Sequence, residues 1–279
     1  MSAMADGKGR TMESNYKLVA SDIDGTLLNS KKELTSNNKS IIEEAIRNNI
    51  IFAISTGRPY ITTRIISDLF DYDLPLILYN GACVMTSKSR KLIYQQNLTR
   101  QQALSIIKII NENNGTYSFW KNECFYVNRI DSYISKYIKD TVIKPIMINR
   151  DTDMDDITKV IWFDENVNLR LFQRTLLQDL KEVNFFTTLP TYLEFVSKGI
   201  SKATALEMLG KFYHIRREEM MAIGDGQNDI PMITYAGLGV AVENAEEELK
   251  EKADFITLSN DNDGVAYAIK KFILGEKEK

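Results

Sequence analysis

Residues 17–29 read KLVASDIDGTLLN, an apolar run that ends in two aspartates and a glycine. Residues two apart on a strand point to the same face, so Asp22 and Asp24 are predicted to project together at the strand's C-terminal end. In parallel α/β sheets that edge is where ligands bind. Two carboxylates this close repel each other unless a cation lies between them or one keeps its proton. Mg²⁺ suits the pair, as a hard ion that takes oxygen ligands and keeps exchangeable waters. Gly25 allows a sharp turn that brings backbone N–H groups near an anion. A calcium loop also places acids at the spacing of Asp22, Asp24 and Glu33, but it needs glycine where Leu27 stands and a helix where this chain has a strand. An Asx turn closing the strand accounts for Asp24 and leaves the pair unexplained.

Working outward, the pattern repeats strand, helix, strand. A helix over residues 38–48 is followed by the strand IIFAIST, a helix after Pro59 and the strand PLILYNGA. The same alternation returns late, with LEFVS, a helix over residues 201–212, MMAIGD, a helix over 229–236, GVAV, ADFITL and a last helix from Val265. Repeated β-α-β units predict an α/β fold, a Rossmann-like three-layer core with a parallel sheet, built from residues 16–84 and 191–279.

Residues 85–190 change character. A helix carries Ala103, Ile106, Ile107 and Ile110 on one face, and GTYSFW and ECFYVN read as a hairpin turning at Lys121 and Asn122. The helix DSYISKYIKD, the strand TKVIWFD and a helix over 169–180 follow. The segment is predicted to be an inserted α+β cap domain, with Tyr117, Phe119, Trp120, Phe125 and Tyr126 as sheet packing. Residues 1–15 are expected to be a disordered extension or expression remnant, and the tail GEKEK to be solvated.

Composition narrows the function. The 279 residues are 44% hydrophobic and 26% charged, enough to bury a core, and 35 Lys plus Arg against 38 Asp plus Glu give no field that favours nucleic acid or an anionic membrane. A small-molecule partner is expected, and the oligomeric state is not legible. MSAMADGKGRTMESNY has no apolar export core, and the compact apolar run at 50–54 is far below the roughly 18 residues of a membrane span. Cys83 and Cys124 form no CxxC pair, so a cytoplasmic location without disulfides or a zinc site is expected, each thiol a small buried hydrophobe. The lone histidine, His214, excludes histidine-centred triads and most zinc chemistry. Neither GxxxxGK[ST] nor GxGxxG occurs, which counts against nucleotide-dependent chemistry.

Three further segments carry chemistry. Ser55, Thr56, Gly57 and Arg58 end the second strand, placing hydroxyls, a backbone N–H and a fixed cation at the same sheet edge, all donors to phosphate oxygens. Lys202 lies in the first turn of a helix, where a cation opposes the macrodipole unless an anion lies there; Lys198, in the loop before it, is the weaker competitor. After MMAIG come Asp225, Gly226, Asn228 and Asp229, a second acidic cluster suited to completing a metal site. A capped turn explains Gly226 and Asp229 but not Asp225.

In order and spacing, DIDGTLL, STGRP, the Ser201-Lys202 segment and GDGQND resemble the haloacid dehalogenase superfamily of phosphatases, and within it the Cof-like group, whose C2-type cap is inserted between the second and third motifs. The resemblance covers residues 16–274. It implies Asp22 as nucleophile and Asp24 as general acid and base. It implies Thr56 and Lys202, with Gly57, Arg58 and Asn228, at the phosphate. Mg²⁺ would sit at Asp22, Asp24 and Asp225, and Asp229 would support the loop. The implied reaction is hydrolysis of a small phosphomonoester through an aspartyl-phosphate, with sugar phosphates, flavin mononucleotide and pyridoxal phosphate as open substrates. A phosphomutase or phosphotransferase shares these residues, and a non-catalytic phosphometabolite sensor would not need Asp24. Ser55 stands where many relatives have alanine.

Overall fold

The computed structural model describes residues 15–165, 168, 169, 171, 172 and 180–275. The expected extension, apart from Asn15, most of the expected helix over 169–180 and the tail after Gly275 lie outside the described residues.

Among them, strands β1 (Leu18–Ser21), β2 (Ile51–Ser55), β3 (Pro75–Leu78), β4 (Cys83–Thr86) and β5 (Leu92–Gln95) join β12 (Met220–Gly224), β13 (Leu238–Ala241) and β14 (Phe255–Ile256) in one eight-stranded sheet. Its order is β14-β13-β12-β1-β2-β3-β4-β5, parallel from β14 to β3, with β4 and β5 added antiparallel. β1 is buried along its whole length, as a central parallel strand covered on both faces must be. Chain order runs away from β1 in both directions, so right-handed crossovers put helices on the two faces and open a crevice beside β1. Ser21 stands opposite Ile223 on β12 and Ile54 on β2. The residues that follow each strand therefore leave the sheet at one level.

The described residues also form helices α1 (Ser36–Arg47), α2 (Tyr60–Ser67), α3 (Arg100–Glu112), α4 (Ser132–Thr141), α5 (Lys202–Tyr213), α6 (Ile230–Tyr235), α7 (Glu247–Lys250) and α8 (Gly264–Ile269). Side-chain caps start several of them: Thr35 accepts from the Asn38 N–H, Thr99 and Gln102 form a capping box, and Asp131 accepts from Tyr133 and Ile134.

A second sheet holds β6 (Thr116–Lys121), β7 (Cys124–Val127), β8 (Pro145–Met147), β9 (Lys159–Phe163), β10 (Val183–Leu189) and β11 (Tyr192–Ser197), in the order β10-β11-β9-β6-β7-β8. One face packs Tyr117, Phe119, Val160, Trp162, Leu193 and Phe195 with Ala103, Ile106, Ile107 and Ile110 of α3. Truncating a fully buried residue there, such as Ile106 to alanine, costs about 2–5 kcal/mol. On the opposite face Trp120, Phe125, Ile161, Phe163 and Tyr192 join the core that runs into the larger sheet, so the second sheet is seated on the first.

The sheets divide the chain at places displaced from those expected. β4 and β5, at residues 83–95, extend the larger sheet, so the change comes after residue 95 rather than at 85. LEFVS, expected in the core sheet, is β11 of the second sheet, pairing antiparallel with β9 and β10. Pro190 and Thr191 lie between β10 and β11, and the chain returns to the core after Ser197, turning through Gly199 at φ 78°. A strand buried on both faces reads the same in either sheet, and a proline marks a hairpin as readily as a boundary. Cys124 also departs from expectation: Cys83 is buried, but Cys124 is exposed beside the hairpin turn, and both are free. No helix among the described residues is long and apolar enough to cross a membrane.

Candidate active site

Three strand ends and one helix start build the site. Asp22 follows β1 and is 6% exposed; Thr56 follows β2 and is buried; Asp225 follows β12; Lys202 opens α5 and is fully buried. Ser201 caps that helix, in a capping box with Thr204. Lys202 Nζ donates to Asp22 Oδ1 at 2.6 Å, to Asp229 Oδ1 at 2.5 Å and to the Ser55 carbonyl at 3.2 Å. This answers why a cation stands at a helix N-terminus: two carboxylates meet it there. Lys198 is instead on the surface, paired with Glu182.

Asp22, Asp225 and Asp229 bring carboxylate oxygens within 4.8 Å of one another. Both oxygens of Asp229 are engaged, Oδ1 by Lys202 and Oδ2 by the N–H groups of Asp225 and Gly226, each at 3.1 Å. Asp22 Oδ1 is held by Lys202 and Asp225 Oδ1 by the Thr26 hydroxyl at 2.8 Å, which leaves each of these two aspartates a second oxygen to offer. Gly25 turns at φ 82°, and a Cβ there would lie 2.4 Å from Asp225 Oδ2, so only glycine permits this approach.

The electrostatics are those of a site short of positive charge. Burial pushes Asp22 well above the usual carboxylate range; Lys202 pulls it back, while Asp229, Asp225 and Asp24 push it further. Burial, followed by the charge of Asp229, pushes Asp225 up to about 7 against the hydrogen bond from Thr26. Burial works to lower the Lys202 ammonium, but Asp22 and Asp229 outweigh it and hold it above the usual lysine range. Three carboxylates thus share one ammonium, and their hard oxygen donors fit a divalent ion of the Mg²⁺ type.

Asp24 does not converge with Asp22. The strand ends at Ser21, so the two-residue alternation no longer applies, and the Asp24 side chain is 52% exposed. Arg58 donates from Nε to its Oδ2 at 2.6 Å and from Nη2 to its Oδ1 at 2.5 Å. The acids that converge among the described residues are Asp22, Asp225 and Asp229, whereas the Asp24 carboxylate, expected beside Asp22, is held by Arg58 and reaches Asp22 and Asp225 only through its charge. Thr56 Oγ1 accepts from the Arg58 N–H at 3.2 Å, while the buried Ser55 Oγ has no hydrogen-bond partner among the described residues. Asn228 Nδ2 donates to Asn80 Oδ1 at 3.0 Å. His214 caps the far end of α5 in the left-handed region, away from these groups in its role.

Asn80, Lys159 and Glu194 escaped the sequence reading. Asn80-Gly81 after an apolar strand is a turn signal, and Lys159 and Glu194 each put one charge into an otherwise apolar strand, which calls for a partner.

Residues 19–269 match the model of the haloacid dehalogenase-like hydrolases. The chain is 32% identical over 265 residues to a 5-amino-6-(5-phospho-D-ribitylamino)uracil phosphatase of Bacillus subtilis strain 168, covering 93% of this chain and 97% of the relative. Among solved structures, a haloacid dehalogenase-like hydrolase from Bacteroides thetaiotaomicron superposes with a TM-score of 0.81 at 31% identity, covering 92% of this chain and 99% of that one. A superfamily phosphatase from the same organism gives 0.82 at 26% identity, covering 97% and 99%. The chain belongs to the haloacid dehalogenase-like hydrolases, in their Cof-like group, and is a phosphomonoester hydrolase.

Proposed function

We propose that the protein is a Mg²⁺-dependent phosphatase of small phosphorylated metabolites, sugar phosphates or related phosphomonoesters, acting through an aspartyl-phosphate at Asp22. The observation that carries this reading is the convergence of Asp22, Asp225 and Asp229, with Asp22 and Asp229 both held by Lys202, at the C-terminal edge of a parallel sheet. Asp22 and Asp225 would hold the ion, with Asp229 fixing the loop. When bound, Mg²⁺ supplies the positive charge that lets buried carboxylates and a phosphate dianion share one site.

In the first step an Asp22 oxygen bonds to phosphorus as the bond to the leaving oxygen breaks, and Asp24 gives that oxygen its proton. In the second, water attacks the same phosphorus, its proton passes to Asp24, and the Asp22–phosphorus bond breaks to release phosphate. Lys202 and the hydroxyl of Thr56 face the charge on the transferring group, and Gly57 and Asn228 join them there. Arg58 must leave Asp24 for the first step, and a phosphate dianion is a competitor of the right charge and shape for its two-pronged grip.

The six-stranded sheet with α3 and α4 serves as the cap over the leaving group, supported by its seating on the larger sheet. A cytoplasmic setting belongs to the same reading, supported by the two free thiols. The test is a panel of phosphorylated metabolites, including the ribitylaminouracil phosphate named for the Bacillus relative, assayed with Mg²⁺ and no added acceptor. Release of inorganic phosphate from at least one is expected. Transfer only to an added sugar, or no turnover on any member, would overturn the proposal.

A further inference from the structure

The Lys159–Glu194 pair is almost completely buried, 1% and 6% exposed, with Nζ 2.9 Å from Glu194 Oε1. Burying two charges is costly, and a pair of apolar side chains would hold the sheets together at least as well. What an apolar pair could not do is direct further hydrogen bonds, and here both partners do so across the junction between the sheets. Lys159 Nζ donates to the Gly57 carbonyl at 2.8 Å, and Glu194 Oε2 accepts from Asn80 Nδ2 at 2.7 Å. Asn80 Oδ1 in turn accepts from Asn228 Nδ2.

The Gly57–Arg58 peptide is thereby held at both ends, its carbonyl by Lys159 and its N–H by Thr56 Oγ1. Because that hydroxyl already accepts from the N–H, its own proton is directed elsewhere. Tyr79 and Asn80 are consecutive non-glycine residues in the left-handed region, at φ 53° and 57°, a conformation that persists only where the surroundings impose it. Their N–H groups bond back to the carbonyls of Arg58 and Thr56. One ion pair on the second sheet is thus tied to the loops that follow β2, β3 and β12.

We propose that Lys159 and Glu194 are positioning residues for phosphoryl transfer: docked on the first sheet, they set the Gly57–Arg58 peptide and, through Asn80, the Asn228 amide, so that Thr56 and Asn228 reach working geometry only when the second sheet is seated. The inference rests on the phosphate-binding reading of Thr56, Arg58 and Asn228 given above.

The test compares Lys159→Met and Glu194→Met singly and combined. Each single change leaves a buried charge unpaired and lowers the melting temperature; the double variant removes both charges at similar volume and recovers folding. In the double variant the Tyr79 and Asn80 amides should exchange with deuterium at least about tenfold faster, with amides of β1 and β12 unchanged. Its kcat on p-nitrophenyl phosphate with Mg²⁺ should fall about ten- to a hundredfold. A pair that only supports the fold would give back stability and kcat together, and that result would overturn the inference. Asn80→Gly tolerates the left-handed backbone and keeps the ion pair while cutting the link to Asn228; a wild-type kcat in it would overturn the inference equally, whether or not the double variant folds. Should the unaltered protein hydrolyse no phosphomonoester, the phosphatase reading fails by itself, and the exchange rates of Tyr79 and Asn80 decide the positioning role alone.

Discussion

Arg58 closes on Asp24 with two parallel bonds, Nε to Oδ2 and Nη2 to Oδ1, although both side chains reach solvent. An exposed pair of this kind is worth about 1 kcal/mol or less to stability, so its use is in the site. Arg58→Lys keeps the charge and loses the planar fork. We expect kcat/KM for phosphomonoesters to fall at least about tenfold, as for a misplaced binding group, with a denaturation midpoint close to that of the unaltered protein. A variant that loses stability yet keeps its kcat/KM would make the pair structural.

Lys202 gives the opposite pattern. Its ammonium is enclosed with Asp22 and Asp229, so Lys202→Met strands two buried carboxylates, a change of about 3–5 kcal/mol. Chemical denaturation should show that loss, and turnover should vanish. Adding Asp229→Asn relieves one of the stranded charges and should return part of the stability while activity stays absent. Recovery of activity along with stability would remove Lys202 from the chemistry.

How far these relationships are legible in sequence follows from their range. Parallel strands buried on both faces are continuous apolar runs, so β1, β2 and β12 stand out, and so do the polar residues at their ends. The Lys202–Asp22 bond joins positions 180 apart, and the macrodipole argument asks only for some anion at Lys202 without saying which. Asp24 lies past Ser21, where the strand and its two-residue alternation stop, so that pattern alone does not place its side chain. The link from Lys159 and Glu194 to Gly57 and Asn80 depends on how two sheets sit together, which no local pattern encodes.

In the proposed metal site, metal and pH should be coupled at Asp225. Without Mg²⁺ its carboxyl keeps a proton up to about 7, whereas an aspartate in the unfolded chain ionises near about 4. The folded state holds the extra proton between those values, so this contribution to stability is present below about pH 4 and is lost as pH rises toward about 7. The upward shift of Asp22 acts in the same direction. Mg²⁺ replaces the proton, so the rise in melting temperature on adding it should grow from about pH 5 to about pH 7 and then level off. Melting curves with Mg²⁺ and with chelator across that range check this; an increment independent of pH would take Asp225 out of the metal site. Phosphatase activity should disappear in chelator throughout.

The sharpest separation of roles lies between the two aspartates that follow β1. Asp22→Asn replaces the attacking oxygen with a poor nucleophile and removes an acid from the group around Lys202, so no phosphoenzyme should form and no phosphate should be released. Asp24→Asn leaves Asp22 and Lys202 in place and removes proton transfer, a contribution of about 10²- to 10⁴-fold. With p-nitrophenyl phosphate the leaving group hardly needs a proton, so the first step should suffer less than hydrolysis of the intermediate. Labelled phosphoenzyme should therefore accumulate in Asp24→Asn and be absent from Asp22→Asn, read by acid quench and peptide mapping to Asp22. Label on an aspartate of the Asp22→Asn protein would move the nucleophile elsewhere. Near wild-type turnover of an unactivated sugar phosphate by Asp24→Asn would leave Asp24 as no more than the residue that holds Arg58.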